Sequence, residues 1–325
     1  MKLKIKLPNS LFILPVCLVS CLFLLQTTPL YAQDTTGVAK QQTTPLKARP
    51  VKNTFDGTMI IDDQTVIVPV KGTFQFDIMH RFGTFGNGYQ DLDGLFAPAN
   101  IRLGVNYAPI NNLYLGIGFS KTDMLWDGNA KYAIIKQTKG RSPVSVTYYG
   151  DMAYDTRFDG DHSLFPRTTD RLTSFNEIII ARKFSDKFSL QIAPTLSHQN
   201  AVNGYYTKLD STGSKVFEEM RHDQFGIAVA GRFKISESTS IIVDYDQPIT
   251  QEPTKNPHPN VALGFEFTTS GHTFQIFMGN YSMLNPQHNN LYNQNNPFSY
   301  TDANGTRVKG GQFCIGFNIS RLWNF

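Results

Sequence analysis

The sequence has few cysteines and few charged residues, and after residue 32 it lacks any long apolar run. Of the three cysteines, only Cys314 lies outside the first 32 residues, so a chain without that leader could form no intramolecular disulfide. Charged residues make up 17% of the chain, whereas soluble proteins have roughly 25%. No segment after residue 32 reaches the ~20 apolar residues of a membrane-spanning helix.

The first 32 residues are organised like a secretory signal peptide. Three lysines within residues 2–6 precede an apolar run over 11–25, and Ala32 follows. This order predicts cleavage after Ala32. Cys21 is an alternative lipidation site, although the apolar run continues past it. Removing the three lysines lowers the basic residues from 30 to 27, against 26 acidic ones, so the charge does not indicate nucleic-acid binding.

Aromatic residues are abundant, with 25 Phe and 14 Tyr, and many alternate with small or polar residues. From residue 73 onward, about twelve segments of strand length show this period of two. In the last segment, 310–325, Phe313, Ile315 and Phe317 share one face, while Cys314 and Gly316 share the other. One such strand also suits a soluble β-sandwich. A series of them is typical of a barrel with lipid outside and a polar lumen inside.

The connections between these segments alternate in length. The short ones span 109–112, 139–143, 185–187, 236–238 and 269–271, and the long ones span 83–99, 155–170, 200–221, 247–259 and 282–309. One connection, 121–125, is short where a long one is due. The pattern predicts an all-β fold, a transmembrane antiparallel up-and-down β-barrel of about 12 strands, with 10–14 possible, and with both termini on the periplasmic side.

These observations divide the chain into four parts. Residues 1–32 are predicted to be a signal peptide and 33–57 a polar periplasmic linker. Residues 58–72 contain two short β-prone runs, whose arms are shorter than the ~9–11 residues of a crossing strand. We therefore expect a short hairpin that caps the periplasmic mouth or plugs the lumen. Residues 73–325 form the predicted barrel.

The alternation also assigns two sets of site residues. The lumen-lining candidates are Asp77, Arg81, Arg102, Lys131, Glu177, Arg232, Asp244 and Glu266. The candidates for aromatic belts at the membrane interfaces are Tyr107, Tyr114, Trp126, Tyr245, Trp323 and Phe325. Charges of both signs inside a barrel require water or partners. They indicate either the selectivity lining of a channel or ion pairs that brace a filled interior.

Catalytic and metal motifs are weak in this sequence. Ser270 and His272 have the spacing of same-face neighbours but fall in a predicted turn, and His198 could meet a serine only across strands. Residues 91–94 resemble part of a calcium loop but lack the full ligand series, so a turn is favoured. We predict no catalytic residues, no metal and no cofactor.

Several short motifs carry a family resemblance. They are RPVKNTF (49–55), HRFG (80–83), WDG (126–128), PVSV (143–146) and RLWNF (321–325). Together they resemble an uncharacterised family of bacterial outer-membrane β-barrel proteins, catalogued as a domain of unknown function. The resemblance implies a location in the outer membrane of a Gram-negative bacterium. It brings no catalytic residues.

The first functional hypothesis is a small-solute channel or ligand-binding barrel rather than an enzyme. The alternative is a non-conducting scaffold or adhesion barrel that binds a partner through its outer loops, and a barrel hydrolase acting on lipid comes third. The expected partners are outer-membrane lipid, the barrel-assembly machinery during insertion, and a small solute. No nucleic acid is expected.

Replacement of the last residue, Phe325→Asp, should reduce insertion more than it reduces the stability of the folded barrel. A terminal aromatic strand resembles the signal that assembly machinery recognises. Quantifying the variant in outer-membrane fractions checks the prediction, and normal levels would contradict it.

Overall fold

The protein is described here as a computed structural model that covers residues 49–85, 88–209, 211–252, 256–301 and 305–324. The predicted signal peptide, residues 33–48 of the predicted linker, and Phe325 lie outside these ranges.

Long strands dominate the described chain. The barrel strands are β3 (Thr73–Thr84), β4 (Asn100–Ile110), β5 (Leu113–Ser120), β6 (Leu125–Ile135), β7 (Ser145–Asp155), β8 (Leu172–Lys183), β9 (Phe188–Gln199), β12 (Asp223–Lys234), β13 (Thr239–Pro248), β14 (Asn260–Thr268), β15 (His272–Gly279) and β18 (Cys314–Asn324). Three small hairpins pair β1 (Met59–Ile60) with β2 (Asp63–Gln64), β10 (Gly204–Leu209) with β11 (Lys215–Glu219), and β16 (Tyr300–Thr301) with β17 (Arg307–Val308).

Helical structure in the described ranges is confined to one α-helix and three short turns. The helix is α1 (Pro286–Tyr292), and the 3-10 turns are Gly88–Gln90, Thr122–Met124 and Thr168–Arg171. None of the described helices is long and apolar enough to span a membrane.

The twelve long strands form a closed antiparallel barrel. Each pairs with the next along the chain, and β12 pairs with β9 across the β10–β11 hairpin. The ring closes where β18 meets β3, with Ile319 opposite Ile78. Strand number, order and antiparallel pairing are therefore confirmed. Closure satisfies the ladder hydrogen bonds without leaving an edge, as the membrane interior requires.

Side chains alternate between the lumen and the outside, as the period of two predicts. In β3, Gln75 and Asp77 are buried, whereas Phe74 and Phe76 on the other face are partly exposed. In β5, Leu115 and Ile117 are exposed on the outer face. An exterior of this kind is stable only against lipid, because in water it would be a very large exposed apolar patch.

The chain before the barrel, residues 49–72, enters the lumen and is called the re-entrant segment below. At its start, Val51 N donates to Gln137 O (2.7 Å) beside the short β6–β7 connection. At its end, Lys71 N donates to Asn111 Oδ1 (3.0 Å) in the β4–β5 turn. Both ends are thus held at the short-turn rim, which in such barrels is periplasmic.

The tip of the re-entrant segment is the β1–β2 hairpin, and it lies inside the barrel. Ile60 and Ile61 are fully buried, and with Phe55 and Val66 they join an apolar cluster contributed largely by the wall. Burying a side chain of this size contributes roughly 1.5–3 kcal/mol. The hairpin therefore packs against wall residues inside the lumen.

Close packing of the lumen predicts that Gly264→Ala destabilises the barrel. A Cβ at Gly264 would lie 2.3 Å from Ile276 O and 2.4 Å from Phe277 Cβ. Such overpacking costs roughly 1–3 kcal/mol. Gly128→Ala is the matched control, because nothing lies within 4 Å of its Cβ position. Unfolding by urea in detergent can be monitored by the gel-mobility shift of folded barrels. Gly264→Ala should lower the urea midpoint, and Gly128→Ala should leave it unchanged. Equal midpoints would contradict the packing described.

Candidate functional site

The lumen is the candidate site, and its wall binds the backbone of the re-entrant segment through side chains. Gln275 Nε2 donates to Met59 O (2.9 Å), and Gln275 Oε1 accepts from Ile61 N (3.1 Å). Asn318 Nδ2 donates to Ile61 O (2.6 Å). These amides of β15 and β18 take the place of a neighbouring strand, so the backbone groups of Met59 and Ile61 are paired.

Other wall strands hold the remainder of the segment in the same way. Lys131 Nζ on β6 donates to Thr58 O (2.7 Å), and Gln191 Nε2 on β9 donates to Gln64 O (2.7 Å). The segment is therefore contacted from opposite sides of the barrel. Its position depends on residues far apart in the sequence.

Two ion pairs also join the wall to the re-entrant segment. Arg232 Nη1 on β12 lies 2.5 Å from Asp56 Oδ2, and both side chains are buried. Arg81 Nη2 on β3 lies 3.5 Å from Asp62 Oδ1, again in a buried setting. Buried pairs are strongly destabilising to break from one side, because the remaining charge has no solvent.

The outer mouth is narrowed by helix α1, which lies in the long β15–β18 connection. Gln287 Nε2 donates to Asp151 Oδ1 on β7 (2.8 Å), and Asn290 Nδ2 donates to Ser197 Oγ on β9 (3.2 Å). Asn289 Nδ2 donates to Asp62 Oδ2 (2.9 Å), so the helix meets the tip of the re-entrant segment. The two insertions, one from each end, fill most of the lumen.

Between these insertions remains a cavity of about 40 Å³, which has room for roughly three water molecules. Its lining is acidic. Seven carboxylates and one guanidinium contribute to it, namely Asp62, Asp63, Asp77, Asp127, Asp151, Glu177, Asp246 and Arg102. Arg102 pairs with Asp127 through two hydrogen bonds. An unbalanced negative lining favours cations over anions.

All eight lumen-lining candidates point inward. Seven are buried, and Arg102 is nearly so with an 11% exposed side chain. Four of them, Arg81, Arg102, Lys131 and Arg232, are paired or bonded to backbone as described above. In this state they therefore serve contacts within the interior, and a selectivity role for them stays a prediction.

The interface aromatics are placed less uniformly. Tyr107 and Trp126 are exposed on the outer surface at opposite strand ends. Tyr245 and Trp323 lie on the same outer face and are partly buried. Arg321, which breaks the apolar face of β18, stacks on Trp323 at 4.9 Å.

Tyr114 is a wrong prediction, because it faces the lumen and is only 2% exposed. In β5 it shares the parity of Gly116 and Gly118, not that of Leu115. Its ring lies 5.7 Å from Lys131 Nζ, in the range of a cation–π contact. Nearness to a strand end misled the sequence interpretation where parity was the correct guide.

Interior carboxylates outside the candidate set include Asp56, Asp62, Asp63, Asp151 and Asp246. Asp246 follows Asp244 at same-face spacing, so the parity of β13 assigns it to the lumen as well. Asp56, Asp62 and Asp63 could not be placed in this way, because a short hairpin outside the barrel pattern has no inward parity to read.

The contacts of His198 bear on the hypothesis of a barrel hydrolase. Cross-strand register places Ser174 and Asp223 on either side of it, on β8 and β12. His198 Nδ1 lies 2.7 Å from Asp223 Oδ1, but Nε2 is 2.8 Å from Asn200 Oδ1. The nitrogen that would activate a serine thus contacts an amide oxygen instead. His272, the other candidate base, has its Nε2 2.6 Å from Arg321 Nη1.

Comparison with known families identifies the barrel. Residues 55–323 match the model of a membrane bound beta barrel domain, DUF5777, whose function is unknown. The chain belongs to this family. The family match and the apolar outer face of the closed barrel place the protein in the outer membrane of Gram-negative bacteria, as the sequence predicted.

Solved structures with a similar chain path are outer-membrane proteins of low sequence identity. The NanC porin is 10% identical, with 78% of this chain and 99% of that chain covered and a TM-score of 0.42. The COG4313 outer membrane channel from Pseudomonas putida F1 is 12% identical, with 79% and 97% covered and a TM-score of 0.43. The KdgM porin is 8% identical, with 76% and 98% covered and a TM-score of 0.40. No curated protein sequence matches the chain.

The ion pair at the base of the re-entrant segment yields a prediction. Asp56→Asn should loosen this segment, because it leaves the buried Arg232 guanidinium without its carboxylate, a change that can cost ~3–5 kcal/mol. Trypsin cleavage after the exposed Lys52 should become several-fold faster in folded protein.

The matched control for Asp56→Asn is Asp186→Asn. Asp186 is fully exposed and pairs with Lys183 at 3.0 Å, an arrangement that contributes only ~0–1 kcal/mol. Its cleavage rate should equal that of the wild type. Unchanged cleavage of Asp56→Asn would show that the pair does not hold the segment.

Proposed function

We propose that the protein is an outer-membrane channel for small solutes, cations in preference, and that the re-entrant segment closes it in the state described here. The observation that carries this proposal is the way the segment is held. Between residues 54 and 67, the described hydrogen bonds from the wall come from side chains, while the backbone ladder of the barrel closes on its own. The segment can therefore leave without breaking a strand pairing.

The chemistry of the wall supports an open state. Gln75, Gln191, Gln275 and Asn318 face the lumen and are buried. Water can replace the backbone of the re-entrant segment at such groups, whereas an apolar wall would not hydrate. A ring of twelve strands also lies between the ~8 strands that side chains fill and the ~16 strands of open porins.

Helix α1 would narrow the open channel rather than seal it. It contacts β8, β9, β12 and β13, which are neighbours on one side of the ring. On the opposite side the helix meets the wall at the β5–β6 connection, where His288 Nδ1 lies 3.5 Å from Asp123 Oδ2. Solute selection would then depend on the remaining gap and on the carboxylates that line it.

A second candidate function, binding a partner through the outer loops, is favoured by exposed aromatics. Tyr89 and Phe158 are each 93% exposed in the long connections, and Phe96 is 76% exposed. On the β10–β11 hairpin, Tyr206 and Phe217 are exposed and pack edge to face at 5.6 Å. Exposed aromatic rings of this kind are enriched at protein interfaces. Deleting the hairpin should abolish such binding and leave any conductance unchanged.

Planar-bilayer recording tests the channel proposal. Replacing residues 53–67 with a Gly/Ser linker of equal length keeps both rim anchors and removes the groups that fill the lumen. We expect the wild type to be mostly closed and this variant to open frequently, with cation selectivity that falls in a Glu177→Gln background. The selectivity follows from the excess of carboxylates in the lining.

The control is the same linker placed at residues 33–47, upstream of the described chain, which should leave the recordings unchanged. Correct folding of each variant is checked by its mobility in unheated detergent gels. A folded variant that lacks residues 53–67 and never conducts would rule out the channel and leave the partner-binding function.

A further inference from the structure

Three carboxylates meet where the tip of the re-entrant segment touches β13. Asp63 belongs to the tip, and Asp244 and Asp246 belong to the wall. One oxygen from each lies within 4.8 Å of the others. Asp63 and Asp244 are buried, with 6% and 0% exposure.

Oxygens in this cluster are without hydrogen-bond donors in the described part of the chain. They are Asp63 Oδ2, Asp244 Oδ1 and Asp246 Oδ1. The second oxygen of two of these carboxylates does accept a hydrogen bond. Tyr281 Oη donates to Asp244 Oδ2, and Asn260 Nδ2 donates to Asp246 Oδ2 (3.1 Å). The oxygens without donors are thus the ones available to a ligand.

Glu177 is an independent observation at the same place. It projects from β8 and lines the cavity that Asp63 and Asp246 also line. Its side chain is 2% exposed, and neither carboxylate oxygen has a hydrogen-bond donor among the described residues. A buried carboxylate with both oxygens unpaired is costly and indicates an unseen partner.

No described arginine or lysine forms an ion pair with Asp63, Asp244, Asp246 or Glu177. The neighbouring Asp62 differs, because Arg81 and Asn289 both contact it. Carboxylates that lie this close together without such a partner must share protons or hold a cation.

We propose that Asp63, Asp244 and Asp246 form a calcium site that joins the re-entrant segment to the barrel wall, with Glu177 completing its acidic surroundings. All the groups offered are oxygens, which suits a hard cation. Ca²⁺ binds oxygen at ~2.3–2.6 Å, so two of its ligands lie at most ~5 Å apart. The oxygens of the cluster lie within 4.8 Å of one another, which is compatible with this spacing.

A cation here would bind two parts of the molecule that strand pairing does not connect. It would neutralise the carboxylates of Asp63, Asp244 and Asp246, which pair with no described lysine or arginine, and would fix the tip against β13. The proposal goes beyond the channel function, since a bound ion would hold the tip equally in a barrel that never conducts.

Binding is measured on the full-length protein in detergent, stripped with a chelator and titrated with CaCl2 by calorimetry. We expect one Ca²⁺ per barrel and a melting temperature that rises with Ca²⁺ concentration, because the ion binds the folded state. Asp63→Asn should weaken binding roughly tenfold or more, since affinity follows the number of charged ligands. This substitution lies outside the barrel strands, so assembly should be normal.

The matched control is Glu266→Gln, which also removes a buried carboxylate from the lumen. Glu266 is 1% exposed on β14 and accepts from Gln275 Nε2 (2.8 Å), away from the cluster. It should bind Ca²⁺ as the wild type does. Wild-type protein that binds no Ca²⁺ at millimolar concentration, or Asp63→Asn that binds it equally well, would overturn the proposal and leave shared protons as the explanation.

A second readout reports on the segment itself. Chelation should accelerate trypsin cleavage after Lys52 in the wild type, and added Ca²⁺ should reverse the effect. Asp63→Asn should be cleaved at one rate with or without the ion. Because no current is recorded, this result does not depend on whether the barrel is a channel, and Ca²⁺-independent cleavage of the wild type would count against the site.

Discussion

Polar groups that are removed from water need hydrogen-bonding or ionic partners, and this requirement determines how the interior of the protein is arranged. The re-entrant segment brings a backbone without strand neighbours into a wall rich in amides and charges. Side chains of the wall bind the groups of the segment. Gln275 bonds to Met59 O and Ile61 N, on either side of Ile60, and Arg232 pairs with Asp56. Without water, neither the re-entrant segment nor the polar wall would be stable in the absence of the other. The lumen is thus filled through hydrogen bonds and ion pairs as well as through the apolar cluster around Ile60 and Ile61.

The barrel itself was predictable because its signals are local. Period-two alternation, an apolar closing strand and connections of alternating length each lie within a few neighbouring residues, and together they gave the correct strands and order. The inward orientation of Asp77, Glu177 or Asp244 followed from the same parity. Where parity was set aside, as at Tyr114, the prediction failed.

The contents of the lumen were not predictable in this way. The β1–β2 hairpin is short and its partners are Lys131, Gln191, Gln275 and Asn318, which come from four strands spread over the whole barrel. No local pattern encodes such an arrangement, so cap and plug stayed equivalent on the sequence alone. The excess of carboxylates in the lumen was unpredictable for the same reason, because Asp62 and Asp63 lie in the interior only when the re-entrant segment enters the lumen.

The re-entrant segment also lies against the line where the barrel closes. Asn318 of β18 binds Ile61 O, and Arg81 of β3 reaches both Asp62 and Asn318 Oδ1, the latter at 2.9 Å. The first and last strands therefore share the hairpin tip as a common partner, in addition to the hydrogen bonds between them. In the folded barrel the tip therefore adds side-chain contacts to the two strands whose pairing closes the ring.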